Sequence, residues 1–377
     1  MAGRETIILI DNSIAVTGAF KCALQQAKLL REDFNYIFLL PRNSVATPFA
    51  QAEGFKVYEV DFREIRKNFF SLISYLPKLF SNTATVRSII KKENVSIVVV
   101  NDFYNLIGAA LKMRNVPIKL VTYIRLLPNR IPSPLRKLWV GAALKYSDLI
   151  IPVSDAVKDQ LPSHLKIKRI YDPVSFPENH QAYELFESSP VKFLYLSNYI
   201  RGKGQDIGLR AFGEAYKLNK DIRLVFAGGD MGLEKNKLFR KELEDEVKST
   251  GLEEAVSFLP FVDDIELLIK QHQVLLNCSE SESFSMTCAE ASFYGLPVIT
   301  TNSGGPAEIV QHNHSGLVVE NKNAEAIKNA ILQLADSAEL RKQFSDAGKI
   351  YVRSKFSMPV FLDTMKKELA KLVNRNL

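Results

Sequence analysis

The chain is poor in cysteine. It has three, Cys22, Cys278 and Cys288, at spacings that suggest no pairing. No disulfide framework is implied, a reduced, cytosolic setting is expected, and Cys278 and Cys288 read as core packing. No apolar run reaches the length of a membrane span. The opening Met1-Ala2-Gly3-Arg4-Glu5 lacks a signal-peptide pattern and leads directly into a strand. The fingerprint G-x-G-x-x-G is missing, which argues against a nicotinamide- or flavin-linked oxidoreductase. Lys203-Gly204 is not followed by Ser or Thr, which excludes a P-loop. There is no Asp-x-Asp. The pair His312-x-His314 lacks a third ligand, and Asp263-Asp264 reads as a helix cap, so no metal site is expected. Low-complexity segments and short-period repeats are also missing.

What is present fits a two-domain globular protein. The length of 377 residues suggests two domains, and 46% apolar content is ample for their cores. The net charge of +7 is unevenly spread. Up to Ser175 there are 25 basic and 14 acidic side chains, a balance of +11; from Phe176 onward there are 24 and 28, a balance of −4. The two halves are therefore expected to meet different partners. A basic first half suits an anionic acceptor or a membrane surface. It carries no aromatic-interleaved basic motif, so nucleic acid is not expected. Arg63, Arg66 and Lys67 precede an aromatic-rich stretch from Asn68 to Phe80. That stretch reads as an interfacial membrane anchor or as a helix packed under a loop.

Strand and helix patterns alternate almost throughout. Strands are expected at Thr6 to Ile10, Tyr36 to Leu40, Lys56 to Val60, Ile97 to Val100, Ile118 to Thr122 and Leu149 to Val153. The polar, turn-rich stretch Glu178 to Pro190 reads as a linker. The pattern then restarts, with strands at Val191 to Leu196, Ile222 to Ala227, Val256 to Leu259, Val274 to Leu276, Val298 to Thr300 and Leu317 to Val319. Short apolar strands separated by helices indicate α/β architecture with parallel sheets. Two Rossmann-like domains in tandem are predicted, with a cleft between them at the C-terminal ends of both sheets. The expected boundaries are 1–177, 178–355 and a final amphipathic helix, 356–377.

One stretch concentrates the chemistry, from Ser279 to Gly305. Glu282 and Glu290 stand eight positions apart. Ser283 or Ser285 can cap a helix that reads from Met286 to Tyr294; Gly295 ends it, and a buried strand follows Pro297. Glu282 thus precedes a helix N-terminus, and Glu290 lies on the helix face of Met286 and Thr287. The amides of Phe284, Ser285 and Met286 are helix-start donors, where the dipole favours an anion. The competing reading is an ordinary amphipathic helix with a solvated glutamate at each end.

With its flanks Gly295-Leu296-Pro297-Val298 and Ser303-Gly304-Gly305-Pro306-Ala307-Glu308, this stretch resembles the Glu-x7-Glu element of retaining GT-B glycosyltransferases of the family-4 type. The resemblance is strong from Val191 to Val319 and mostly architectural before that. It also covers Leu224 to Gly229, Phe258 to Val262 and Ser147 to Ser154. It implies a GT-B fold whose C-terminal helix crosses back onto the first domain. It implies that Glu282 faces the donor sugar and that Glu290 holds the ribose of a nucleotide-sugar. Donor contacts are implied for Ser283, Phe284, Ser285, Met286 and Thr287, and Phe261 is placed beside the nucleobase. Lys203-Gly204 matches the family's Lys-Gly, so Lys203 is expected to neutralise the diphosphate. Gly18, after the first strand, is expected to approach the same diphosphate.

The sequence departs from the pattern in three places. Ser197-Asn198 replaces Gly-Arg, leaving Asn198 where a cation is usual, with Arg201 as a substitute. Thr17-Gly18 replaces a pair of glycines. No His follows Ile118 to Thr122, and Arg125 or Tyr123 takes its place; Arg125 is counted among the catalytic candidates. The expected function is metal-independent transfer of a hexose from a UDP- or GDP-sugar to an acceptor with retention. No cofactor is expected, because the nucleotide-sugar is a co-substrate. The acceptor is expected to be a glycan or a lipid-linked precursor of a cell-surface polysaccharide. An anionic membrane surface is a candidate second partner, with peripheral attachment at the inner face. The rivals are a GT-B nucleotide-sugar epimerase and a non-catalytic sugar- or polyanion-binding protein.

Overall fold

The computed structural model describes residues 4–62, 69–174, 187–262 and 264–373. The chain forms two units, Met1–Pro173 with Pro359–Leu377, and Val174–Met358.

The first unit begins with β1 (Glu5–Ile10), α1 (Gly18–Leu29), β2 (Phe34–Pro41), α2 (Thr47–Ala52) and β3 (Lys56–Val60). It continues with α3 (Phe69–Lys92), β4 (Val95–Val100), α4 (Ile107–Met113) and β5 (Lys119–Ile124). It proceeds through α5 (Ser133–Tyr146), β6 (Leu149–Pro152) and α6 (Asp155–Lys158). Its six strands run parallel in the order β3-β2-β1-β4-β5-β6. Runs such as Ile7 to Ile10 and Ile97 to Val100 are buried at nearly every position. Unbroken apolar strands of this kind need cover on both faces, which the alternating helices supply.

The second unit repeats the plan. It comprises β7 (Val191–Leu196), α7 (Gln205–Leu218), β8 (Ile222–Ala227), α8 (Glu234–Ser249), β9 (Val256–Leu259) and α9 (Ile265–Lys270). Then come β10 (Val274–Asn277), α10 (Met286–Tyr294), β11 (Val298–Thr301), α11 (Pro306–Ile309) and β12 (Gly316–Val319). Two helices, α12 (Ala324–Asp336) and α13 (Ala338–Phe356), complete it. Its parallel order, β12-β11-β10-β7-β8-β9, is the same doubly wound arrangement, and the core gathers Phe193, Phe212, Phe226 and Phe344. Both units are Rossmann-like, with a switch in strand order between the first and fourth strand of each.

The final helix, α14 (Met358–Leu372), belongs to the first unit. It buries Phe361, Met365 and Leu369 and pairs Lys366 with Asp33 at 2.7 Å. Its start corrects the expected boundary: Phe356 ends α13 instead of opening the last helix. The break falls at Ser357, which is extended, just before Pro359. A proline in mid-helix would lose a hydrogen bond and clash with the preceding turn, but it is tolerated in a first turn. At the break, Val174 N–H donates to the Phe356 carbonyl at 3.1 Å and Val174 pairs with Ser357.

Arg63, Arg66, Lys67, Asp263 and most of the expected linker lie outside the described residues. The aromatic-rich stretch after Asn68 opens α3, a longer helix than expected, with Pro77 inside it. Within it Tyr75 is buried, while Leu76 and Phe80 are half exposed.

Candidate active site

In the second unit three loops meet at the C-terminal ends of β7 and β10. The loop after β10 carries Glu282, and the loop after β7 carries Lys203. Lys203 Nζ lies 2.9 Å from Glu282 Oε1, with side chains 32% and 14% exposed. Asn277, the last residue of β10, points its amide at Ser285 Oγ at 3.3 Å and at Glu282 Oε2 at 3.5 Å.

The backbone of Glu282 is clamped from the third loop, after β11. Its N–H donates to the Ser303 carbonyl at 3.0 Å, and its carbonyl accepts from Gly305 N–H at 2.8 Å. This approach needs a glycine: a Cβ at Gly305 would sit 2.4 Å from the Ser283 oxygen.

Helix α10 starts as its sequence dictates. Ser285 is the N-cap, and its Oγ accepts from Cys288 N–H at 3.4 Å. The first backbone helix bond runs from Ala289 N–H to the Ser285 carbonyl. The amides of Met286 and Thr287 have no backbone acceptor among the described residues. Such helix-start amides attract an anion. Cys288, Ala289, Ala291 and Phe293 are buried, whereas Met286, Thr287 and Glu290 are half-buried on one face. Glu290 therefore stands one turn below the helix start, on the face that begins beside Glu282. The Phe284 ring is buried edge-on against Phe356, with centroids 5.5 Å apart, so its side chain is packing, while the role expected of Phe284 was that of its backbone amide. Ser283 is half-buried at the Gly305 contact.

The Lys203 loop is fixed by a residue that the sequence reading missed. The buried Tyr195 hydroxyl donates to the Lys203 carbonyl at 2.6 Å and accepts from Cys278 N–H at 2.9 Å. Burial pushes this phenol well above its usual range, so it stays protonated and able to donate. Gly204 follows with φ of 79°, and a Cβ there would fall 1.9 Å from the Cys278 oxygen. Glu280 N–H donates to the Gly202 carbonyl at 2.9 Å. These contacts join the two loops whose side chains form the Lys203–Glu282 pair.

Two neighbours have partners of their own. Arg201 pairs with Glu242 on α8 and lies over the Phe239 ring at 4.8 Å. Asn198 uses its Oδ1 to accept from Gly229 N–H at 3.1 Å, and its carbonyl accepts from Gln205. It ties the β7 loop to the β8 loop, so its acceptor atom is already engaged. Phe261 is 57% exposed beside Gly229, as an aromatic surface at the end of β9.

Arg125 lies in the core of the first unit. Its guanidinium is buried, with Nη1 2.7 and 2.6 Å from the two Asp172 oxygens and Nε 2.8 Å from Asn101 Oδ1. It also covers the Tyr123 ring at 4.5 Å. A fully buried guanidinium needs such partners, and here they come from within its own unit. Tyr123 is likewise core, donating to Gln26 at 2.6 Å. Gly18 has nothing within 4 Å of a hypothetical Cβ and an ordinary φ, so neither crowding nor a tight turn requires it. The open space above it suits close approach of a ligand. Thr17 caps α1 through its hydroxyl, which accepts from Phe20 N–H at 3.1 Å. Among the described residues no group of three or more His, Cys, Asp or Glu could hold a metal, and His312 accepts from Val318 N–H.

Two family patterns cover most of the chain. The glycosyl transferases group 1 pattern matches residues 176–351, and the glycosyltransferase family 4 pattern matches residues 16–174. The chain belongs to this glycosyltransferase family. The family-4 glycosyltransferase chain is similar to an alpha-1,3/1,6-mannosyltransferase of Rhizomucor pusillus. The two are 27% identical over 289 residues, covering 64% of this chain and 63% of that one. It is similar also to a GDP-mannose-dependent alpha-(1-6)-phosphatidylinositol monomannoside mannosyltransferase of Mycobacterium tuberculosis. There the identity is 29% over 210 residues, covering 53% of this chain and 51% of that one. The chain thus spans less than two thirds of either relative. Its fold matches the Anabaena HepE protein in complex with UDP. That match has a TM-score of 0.80 and 19% identity over 97% of this chain and all of that one. No helix among the described residues is long and apolar enough to cross a membrane.

Proposed function

We propose that the protein transfers a hexose from a UDP- or GDP-sugar to a glycan or lipid-linked acceptor, with retention and without a metal. The observation that carries this reading is the Lys203–Glu282 pair, 2.9 Å apart, placed immediately before the N-terminus of α10. Negative charge develops on the departing nucleoside diphosphate, and preorganised donors there lower the barrier. Lys203 Nζ and the Met286 and Thr287 amides are such donors. An arriving diphosphate takes Lys203 as its counter-ion, and Glu282 is left to orient the donor sugar. Glu290, one turn below, accepts from the ribose hydroxyls. The acceptor oxygen attacks on the face from which the diphosphate leaves, and its proton passes to a leaving phosphate oxygen. Chelation with EDTA is expected to leave turnover unchanged; loss on chelation and recovery with manganese would refute the metal-free reading.

The relatives named for GDP-mannose and mannosyl transfer support a guanine nucleotide-sugar, and the UDP-bound structural neighbour supports a uridine one. A thermal-shift panel of UDP-, GDP-, ADP- and CMP-sugars separates them. A ligand at about 100 times its Kd stabilises the folded state by about 2.7 kcal/mol, a shift of several degrees. If no nucleotide-sugar moves the transition, the functional reading fails.

A further inference from the structure

Strand β10 ends in a residue that an apolar strand does not need. Val274, Leu275 and Leu276 are buried aliphatics, and Asn277 follows them at 6% exposure. A buried amide is costly unless its polar atoms are used. Here they are. Asn277 Oδ1 accepts from Ser279 N–H at 3.1 Å. That bond assigns the oxygen, so the nitrogen faces Ser285 Oγ at 3.3 Å and Glu282 Oε2 at 3.5 Å. The two hydrogens of one amide nitrogen are directed at the N-cap of α10 and at the carboxylate beside it.

We propose that Asn277 is a positioning residue for the transfer reaction, holding the Glu282 carboxylate toward the donor sugar while the diphosphate occupies Lys203. The inference rests on the glycosyl-transfer reading and adds to it a residue that touches no substrate. The division of the two carboxylate oxygens carries it. Lys203 Nζ holds Oε1 at 2.9 Å, and Asn277 Nδ2 reaches Oε2. A diphosphate that draws Lys203 away takes a partner from one oxygen only. The backbone clamp at Ser303 and Gly305 fixes where the Glu282 main chain lies, but not the rotation of its side chain. At 3.5 Å the amide bond is at the limit of its range while Lys203 pulls on the other oxygen. It shortens when Lys203 turns to the diphosphate. An amide suits this task. It is neutral, so it does not compete for the diphosphate as a second cation would, and a hydrogen bond to the charged form keeps the carboxylate ionised. It is also short and stands on a strand, so its own position is fixed.

The same amide sets the direction of a hydroxyl chain. Ser285 Oγ accepts from Asn277 Nδ2 and from Cys288 N–H at 3.4 Å, which uses both of its lone pairs. Its own hydrogen then goes to Thr287 Oγ1, 3.2 Å away. This leaves the Thr287 hydrogen for an anion at the start of α10. One buried side chain aligns a carboxylate for the sugar and a hydroxyl for the diphosphate.

The test uses the full chain with UDP-glucose and GDP-mannose as probes, and turnover is read as nucleoside diphosphate released. Asn277→Leu, similar in size, is expected to lower kcat about tenfold, with the donor KM within about twofold of the wild type and the nucleotide-induced thermal shift retained. Asn277→Asp gives a readout that packing alone would not move. It sets a second carboxylate against Glu282, and two such groups take up one shared proton as the pH falls. That proton restores a hydrogen between the two side chains, as the amide supplies in the wild type. The charged and titratable groups around the pair are Lys203 on the loop after β7, Tyr195 on β7, and Cys278 and Cys288. Burial pushes the phenol and both thiols up, Cys288 to about 12, so none of these three titrates between pH 5 and pH 8. The kcat of Asn277→Asp relative to the wild type is therefore expected to rise about fivefold or more from pH 8 to pH 5. A ratio that does not change with pH, or a kcat within about twofold of the wild type in Asn277→Leu, would overturn the inference. If Asn277→Leu loses its melting transition, the pH ratio of Asn277→Asp decides alone. If no nucleotide-sugar of the panel shifts the wild-type transition, the functional reading fails and this inference with it. Wild-type turnover with unaffected variants strikes this inference alone, so the two failures are distinguishable.

Discussion

Replacing Tyr195 by Phe tests whether the Lys203 loop is held in place by one hydroxyl. The ring is buried, and Phe preserves its packing against Phe226, whose centroid is 5.2 Å away. What disappears is the oxygen that joins the Lys203 carbonyl to the Cys278 amide. The carbonyl retains only a 3.5 Å contact from Ser279 Oγ, at the limit of a hydrogen bond. Each buried backbone group left without a partner costs about 1–3 kcal/mol, and because the carbonyl keeps that weak Ser279 contact its share falls near the lower end, so the pair should cost about 2–4 kcal/mol. In a unit of this size that lowers its melting temperature by about 5–12 °C. The kinetic effect is separate. A charge-assisted donor in the transition state contributes about 2–4 kcal/mol, and loosening Lys203 should forfeit part of it, lowering kcat about tenfold. Differential scanning fluorimetry gives the first quantity and labelled-donor turnover the second. The decisive measurement repeats the substitution in a Lys203→Ala background. If Tyr195 acts through Lys203, turnover there should fall no further. An equal additional drop in the double variant, or an unchanged melting point in Tyr195→Phe, would refute the reasoning.

Three further outcomes are expected. Lys203→Ala should remove most turnover while leaving the fold intact, because no other cation pairs with Glu282 among the described residues; a near-native rate in the purified variant would contradict it. Glu290→Ala should mainly raise the donor KM, and Glu282→Ala should mainly lower kcat, since ribose contacts persist in ground and transition states alike; steady-state kinetics showing the reverse would exchange their roles. Burial raises the Asp102 carboxyl to about 7, although the Arg125 and Phe103 amides donate to it. The folded state then holds a proton that an unfolded aspartate releases near pH ~4, so this residue's contribution to stability falls as pH rises from about 4 to 7. Asp102→Asn should gain more stability over the wild type at pH 8 than at pH 5 in urea unfolding, and equal gains would count against a raised carboxyl.

Much of the architecture was legible because each element announces itself locally. Strands β3, β7, β8 and β9 and helix α10 have the predicted bounds. Each is a short apolar run, or a capped helix stopped by Gly295, and such signals need no knowledge of distant residues. The pairing of Glu282 with Lys203 was less direct. Each residue was marked by its own motif, but only the fold brings them together. The counter-ions of the two candidate arginines were not legible. Arg125 meets Asp172 and Arg201 meets Glu242, each through a partner far along the chain. A cation near a motif looks available until its counter-ion is known. Tyr195 carried no signal, because its hydroxyl serves backbone atoms of Lys203 and Cys278, which any residue type would offer. The end of α13 was missed for a different reason: the helical pattern continues across Phe356, and only the extended Ser357 before Pro359 divides it.

The placement of α14 has a consequence for biosynthesis. The first unit is interrupted after Pro173 and resumes at Pro359, so its last helix leaves the ribosome after the whole second unit. Until then the surface that receives Phe361, Met365 and Leu369 is uncovered, including the Tyr123 hydroxyl that meets the Met365 sulfur. The intervening segment, Val174–Met358, is roughly 185 residues, and at about 5–20 residues per second its synthesis takes about 10–40 s. Throughout that interval the nascent first unit exposes this apolar patch, which makes it a natural client for a holdase. A chain stopped at Met358 would keep the Lys203–Glu282 pair and remain permanently in that vulnerable state.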